Sequence, residues 1–149
     1  MYTPSDISFR RALDEDASDI ATIEALSFKT PWTYEMVLSE IKEPYSYFYL
    51  AVLDKKVIGY YGFLHILDEL HILNVAVHPD FRGMGVGMAL LNDLSKRALQ
   101  LSARAITLEV RESNTAAKRL YERAGFTFSG VRPHYYMDKE NALIYWKEL

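Results

Sequence analysis

One hundred and forty-nine residues, half of them hydrophobic and a quarter charged, suit one globular domain with a substantial core. The absence of cysteine excludes disulfides, thiolate nucleophiles and cysteine-ligated zinc, and no apolar run approaches the ~20 residues of a membrane helix. A net charge of −3, with no basic-then-apolar leader, points to a cytoplasmic protein that binds neither nucleic acid nor membranes wholesale.

Residues 7–12 read as a short strand. The acids at 14–16 can cap a helix whose apolar side carries Ile20, Ile23 and Leu26. Lys29-Thr30-Pro31-Trp32 breaks that helix. Thr33 caps a second one, with Met36, Val37 and Ile41 on one side, ending before Pro44. Residues 47–53 are apolar on both alternating faces, as an interior strand would be. A turn at Asp54-Lys55-Lys56 leads into a long strand over 57–67, and Asp68-Glu69 turns into the next, over 72–77. Pro79 ends it, since proline cannot donate to a ladder.

Gly83, Gly85 and Gly87 follow, and then a helix with Val86, Leu90, Leu94, Ala98 and Leu101 at spacings of three and four. Residues 105–111 alternate: Ile106, Leu108 and Val110 face one way, Thr107, Glu109 and Arg111 the other. Asn114 caps a helix with Ala117, Leu120, Tyr121 and Ala124 on one face, and Gly125 supplies its C-terminal stop. Residues 126–137 and 142–146 read as closing strands. The order is β-α-α-β-β-β-α-β-α-β-β, which predicts an α/β (α+β) fold: a mixed, mostly antiparallel sheet with helices on both faces.

A strand, a glycine-rich turn and a helix N-terminus together make an anion site, because the first helical N–H groups lack partners and the helix dipole favours negative charge. A turn that merely needs flexible residues would look similar. Gly87 is followed by Met88 and Ala89, so the P-loop ending Gly-Lys-Ser/Thr is missing, and no third glycine completes G-x-G-x-x-G. What stands there is Arg82-Gly83-Met84-Gly85-Val86-Gly87. This run resembles the acyl-CoA pyrophosphate loop of the GNAT (GCN5-related N-acetyltransferase) superfamily. The resemblance extends to the element order of the whole chain. It implies acetyl-CoA as cosubstrate, held by Arg82, Gly83, Met84, Gly85, Val86, Gly87 and Met88 and by the strand residues Val75, Ala76 and Val77.

Leu108-Glu109-Val110-Arg111, Asn114-x-Ala116-Ala117 and Leu120-Tyr121-Glu122-x-x-Gly125-Phe126 resemble more closely the ribosomal-protein alanine N-acetyltransferase branch. That likeness implies Glu109 as general base, Tyr121 as general acid and Asn114 as a cofactor contact. It also implies that Pro31, Trp32 and Tyr136 border the peptide site. The implied acceptor is a basic protein N-terminus, that of the eighteenth small-subunit ribosomal protein. Met84 departs from the longer polar residue that many members carry there. Taken alone, Glu109 would be a solvated strand carboxylate and Tyr121 a core tyrosine. Tyr135 and Tyr136, as strand neighbours, would divide between core and site. The four histidines show no metal-ligand spacing. Acetylation of lysine side chains or small amines, and a non-catalytic acyl-CoA sensor, are the alternatives on the same fold.

Charge is divided along the chain. Residues 1–53 hold nine acids and four bases, a net of −5, and 54–149 hold eleven acids and thirteen bases, a net of +2. Within 82–123 eight bases face four acids, around the proposed phosphate loop.

Overall fold

The structure, a computed structural model, describes residues 6–149. Among the described residues seven strands form one sheet: β1 (Ser8–Arg11), β2 (Ser46–Leu53), β3 (Lys56–Ile66), β4 (Glu69–Val77), β5 (Ala105–Arg111), β6 (Thr127–Arg132) and β7 (Ala142–Glu148). Their spatial order is β1-β2-β3-β4-β5-β7-β6. Only β4 and β5 pair in parallel; every other neighbouring pair is antiparallel.

Among the described residues four α-helices cover the sheet: α1 (Ala17–Ser27), α2 (Tyr34–Ile41), α3 (Val86–Gln100) and α4 (Thr115–Arg123). Leu90, Leu91 and Leu94 of α3 and Tyr121 of α4 join the core on one face, with Tyr61, Phe63, Ile106 and Leu108 from the sheet. On the other face Ile20 and Ile23 of α1 and Val37 of α2 pack on Phe48, Leu50 and Tyr60. Apolar side chains therefore leave alternate strand positions in both directions, which is why 47–53 lacks a polar face.

Several predicted details change. Leu26 is 50% exposed, and the inward position next to Ile23 belongs to Glu24, which is 1% exposed. Met36, likewise expected inside, is 50% exposed. The fourth strand starts at Glu69 rather than Ile72, because the turn at 67–68 is tighter than the sequence suggested. The sixth strand stops at Arg132, not at Met137. Pro133 cannot donate to the ladder, and 133–141 folds into turns in which His134 and Lys139 have positive φ. Tyr135 and Tyr136 are therefore loop residues. Tyr135 is 53% exposed and Tyr136 half-buried, so neither belongs to the core.

One irregularity positions the site. In β4, Asn74 pairs with Gly62 and Ile72 with Phe63, so Leu73 is an extra, bulged residue. A bulge bends its strand and increases the local twist. The β4–β5 pairing covers only Glu69 to Ile72 against Ala105 to Leu108. Beyond the bulge β4 continues to Val77 and β5 to Arg111 without pairing to each other. The sheet opens there into a wedge.

Candidate active site

One wall of the wedge is the edge of β4. Val75, Ala76 and Val77 pair with β3 on one side, leaving their other edge unpaired towards β5. At the end of β4 a short helical turn at Pro79–Phe81 delivers the chain to the glycine run. Gly83 and Gly85 have φ of +77° and +82°, a region costly for any residue with a Cβ. Gly85 caps α3 without a side chain, and the first helical bond runs from the Ala89 N–H to the Gly85 carbonyl at 3.0 Å. The N–H groups of Val86, Gly87 and Met88 thus have no helical acceptor. Gly87 serves a second purpose: a Cβ there would meet Leu120 of α4 at 3.1 Å, so its small size lets the two helices approach.

Arg82 is already committed. Its Nε donates to the Val77 carbonyl at 3.0 Å and Nη2 to Ser27 Oγ at 3.0 Å, bracing the loop against β4 and α1. Asn114 Oδ1 accepts from the Ala117 N–H at 3.1 Å, so the predicted cap is present and only its amide nitrogen is left for another partner.

The floor of the wedge carries the titratable groups. Glu109 and His71 project from β5 and β4 on the α1 face, with His71 Nε2 2.5 Å from Glu109 Oε2. Arg132 of β6 donates through Nε to Glu109 Oε1 at 3.1 Å. Burial pushes the Glu109 carboxyl up, but the hydrogen bond and charge of His71, with Arg132 behind them, outweigh it and hold the group below its ordinary value. Tyr121 is buried to 7% exposure, and burial, with Tyr136 nearby, raises its phenol well above the usual range. Its hydroxyl makes no hydrogen bond to any described residue, while its ring packs edge-on against Phe126. Tyr136, pushed up to about 12 mainly by burial, is an electrostatic neighbour of both Glu109 and Tyr121. Tyr136 thus stands between the carboxylate of Glu109 and the phenol of Tyr121. A depressed carboxyl and raised phenols separate a proton acceptor from proton donors.

The third side is held by Arg111. Its Nη1 donates to Asp138 Oδ2 and Glu140 Oε1, both at 2.9 Å, and its Nη2 to Thr30 Oγ1 at 3.4 Å. The guanidinium also lies 4.1 Å from the Tyr136 ring centroid. One side chain thereby ties the 133–141 loop to the segment between α1 and α2. Pro31 is exposed there and Trp32 partly buried. Trp32, Glu35, Met36, Ser39 and Glu40 line a cavity of about 370 Å³.

Sequence reasoning missed His71, Arg132 and Glu24. In sequence His71 stands 38 residues from Glu109 and in no motif with it. The parallel register puts His71 opposite Thr107, so Glu109, two residues further along β5 on the same face, lies diagonally within reach of it. Among the described residues no cluster of three or more His, Asp or Glu side chains is arranged to hold a metal ion, and no helix is long and apolar enough to cross a membrane.

A mostly antiparallel sheet whose one parallel pair splays beside a glycine-capped helix is the architecture of an acetyltransferase of GNAT type. The acetyltransferase (GNAT) family model matches residues 15–126, and the chain belongs to that family. It is 37% identical over 134 residues, 89% of each chain, to a Bacillus subtilis (strain 168) protein provisionally named a [ribosomal protein bS18]-alanine N-acetyltransferase. The Escherichia coli (strain K12) [ribosomal protein bS18]-alanine N-acetyltransferase is 34% identical over 125 residues, 82% of this chain and 84% of that one. The crystal structure of the ribosomal-protein-S18-alanine N-acetyltransferase from Escherichia coli superposes with a TM-score of 0.88 at 28% identity, covering 95% of this chain and 93% of the other.

Proposed function

We propose that the protein transfers the acetyl group of acetyl-CoA to a protein N-terminal amine, and that its substrate is the N-terminal alanine of ribosomal protein bS18 in the cytoplasm. The observation that carries this is the parting of β4 from β5 beyond the Ile72–Leu108 pair, with Glu109 the next residue of β5. The wedge admits a thioester between the two strands. The free edge at Val75, Ala76 and Val77 would pair with the pantetheine amides. The N–H groups of the loop from Gly83 to Met88 would take the pyrophosphate, with the Asn114 amide as a further donor.

The acceptor amine must lose a proton, attack the thioester carbon and expel a thiolate. Glu109 takes the proton as the C–N bond forms, and the protonated Tyr121 phenol gives its own to the departing sulfur as the C–S bond breaks. Glu109 is a modest base, since His71 and Arg132 hold its carboxyl below its ordinary value. That suits an α-amine, roughly a third neutral at pH 7.5, better than a lysine amine, about 0.1% neutral. Pro31, Trp32 and Tyr136 would border the acceptor chain, and the carboxylates of Glu35 and Glu40 favour a basic peptide.

The test is CoA release with three acceptors: a basic peptide with free N-terminal alanine, the same peptide N-blocked with an internal lysine, and a polyamine. Fastest turnover of the first, weakening as salt rises, is expected. Preference for either of the others, or release from none as in a non-catalytic sensor, would overturn the proposal.

A further inference from the structure

Glu24 belongs to no motif in the sequence. It sits in the last turns of α1, facing the sheet, at 1% exposure. Three donors from three places reach it. Tyr60 of β3 donates its hydroxyl to Oε2. Asn74, the residue next to the β4 bulge, donates through Nδ2 to the same oxygen at 3.0 Å. The backbone N–H of Trp32 donates to Oε1 at 3.0 Å. All three are neutral donors, and burial raises the carboxyl above its ordinary value. A charge buried this deeply without a cationic partner is costly, so its place in the core calls for an explanation beyond packing.

The geometry supplies one. Trp32 lies in the irregular segment between α1 and α2, where helical hydrogen bonding cannot fix the backbone. Its ring leans on Phe48 with centroids 6.3 Å apart and forms a wall of the 370 Å³ cavity beside α2. The Glu24 bond is what anchors the Trp32 backbone from below, and it anchors it to the strand residues at the start of the wedge. We infer that Glu24 is a positioning residue for the acceptor: it sets Trp32, and through it the acceptor cavity, in register with the wedge between β4 and β5. This rests on the proposed acceptor side of the site. Leucine at this position, the apolar choice for an inward helical face, would pack but could not hold the Trp32 N–H.

The sequence contains two tryptophans, so Trp32 can be read alone in a Trp146→Phe background. In that background Glu24→Ala should at least double the quenching of Trp32 fluorescence by acrylamide, with or without substrate. Loss of one charge-assisted anchor should raise KM for the acceptor about tenfold or more, with kcat and KM for acetyl-CoA within about threefold of the parent. Glu24→Gln keeps an oxygen for the Trp32 N–H and should restore both readouts. Should Glu24→Ala fail to fold, Glu24→Asp, one methylene too short to span to Trp32, carries the same expectation. Unchanged quenching in the variant, or equal rises in KM for both substrates, would overturn the inference. The quenching arm needs no acceptor, so it stands even if the proposed acceptor class is wrong. A parent protein that ignores N-terminal amines would sink that class alone.

Discussion

Replacing Tyr121 with phenylalanine separates chemistry from folding more cleanly than any other change in the wedge. The hydroxyl has no hydrogen-bond partner among the described residues, and the ring that packs edge-on to Phe126 at 5.6 Å is retained. Nothing in the fold is left unsatisfied by the change, so stability should move by no more than about 0.5 kcal/mol. For a chain of this size that is a Tm shift of roughly 1–2 °C. The phenol is held protonated well above neutral pH by burial, so it can deliver a proton throughout the working range. Without it the thiolate must leave unaided or take its proton from water. The expected loss in kcat is about 10²–10⁴-fold, or about 2.7–5.4 kcal/mol. Initial rates of CoA release at saturating acetyl-CoA and peptide, with melting by circular dichroism, measure both quantities. Acetyl-CoA affinity by calorimetry should stay near the parent value. A kcat within threefold of the parent, or an activity loss matched by a large fall in Tm, would refute the assignment.

Other perturbations follow from the same geometry. Glu109→Gln should lower kcat by about 10²-fold or more and move the rate optimum to higher pH, because the neutral amine must then react without a base; parental rates across pH 6–9 would contradict this. Gly85→Val, at φ +82°, should weaken acetyl-CoA binding strongly by calorimetry. Gly87→Ala should instead act on stability, by about 1–3 kcal/mol, since its Cβ meets Leu120 at 3.1 Å. Unchanged affinity in the first or unchanged Tm in the second would count against the roles given to those glycines. Acid should release the 133–141 loop. The Glu140 carboxyl is lowered from 4.5 to about 2, first by its bonds to Ser113 and then by Arg111. A depressed folded value means that the Arg111 clamp is fully present above about pH 4.5 and is lost as pH falls through about 2. Pepsin cleavage near Tyr135 should therefore appear within that window while the sheet signal persists; cleavage at a constant rate from pH 5 to pH 2 would argue otherwise.

Much of this architecture was legible in the amino-acid order. The apolar spacing of α3, the alternation in β5, the Asn114 cap and the Gly125 stop are local signals, and each acts within a few residues of itself. The Gly125 stop even shows both bonds expected of such a cap, from Phe126 N–H to the Tyr121 carbonyl and from Gly125 N–H to the Glu122 carbonyl. Glu109 and Tyr121 could be singled out because a motif places them one helix apart.

What could not be read depends on long-range placement. Glu24 takes an inward position that a hydrophobicity pattern assigns to Leu26, and only its partners on β3, β4 and the Trp32 segment make burial tolerable. The bulge at Leu73 has no glycine or proline to announce it, yet it parts β4 from β5 and so makes the wedge. His71 and Arg132 flank Glu109 from different strands, 38 and 23 residues away in sequence. Residues 133–137 read as the end of a strand because their aromatic residues favour strands, whereas the path of the 133–141 loop is set by the ion pairs of Arg111.

One peptide can test whether this wedge acetylates an N-terminal amine. A basic peptide with a free N-terminal alanine and one internal lysine, incubated with acetyl-CoA and the protein, should gain a single acetyl group. Fragmentation by mass spectrometry should place that group on the alanine nitrogen, with Glu109→Gln and Tyr121→Phe both slowing its appearance. Acetylation of the lysine with the alanine left free would contradict the account.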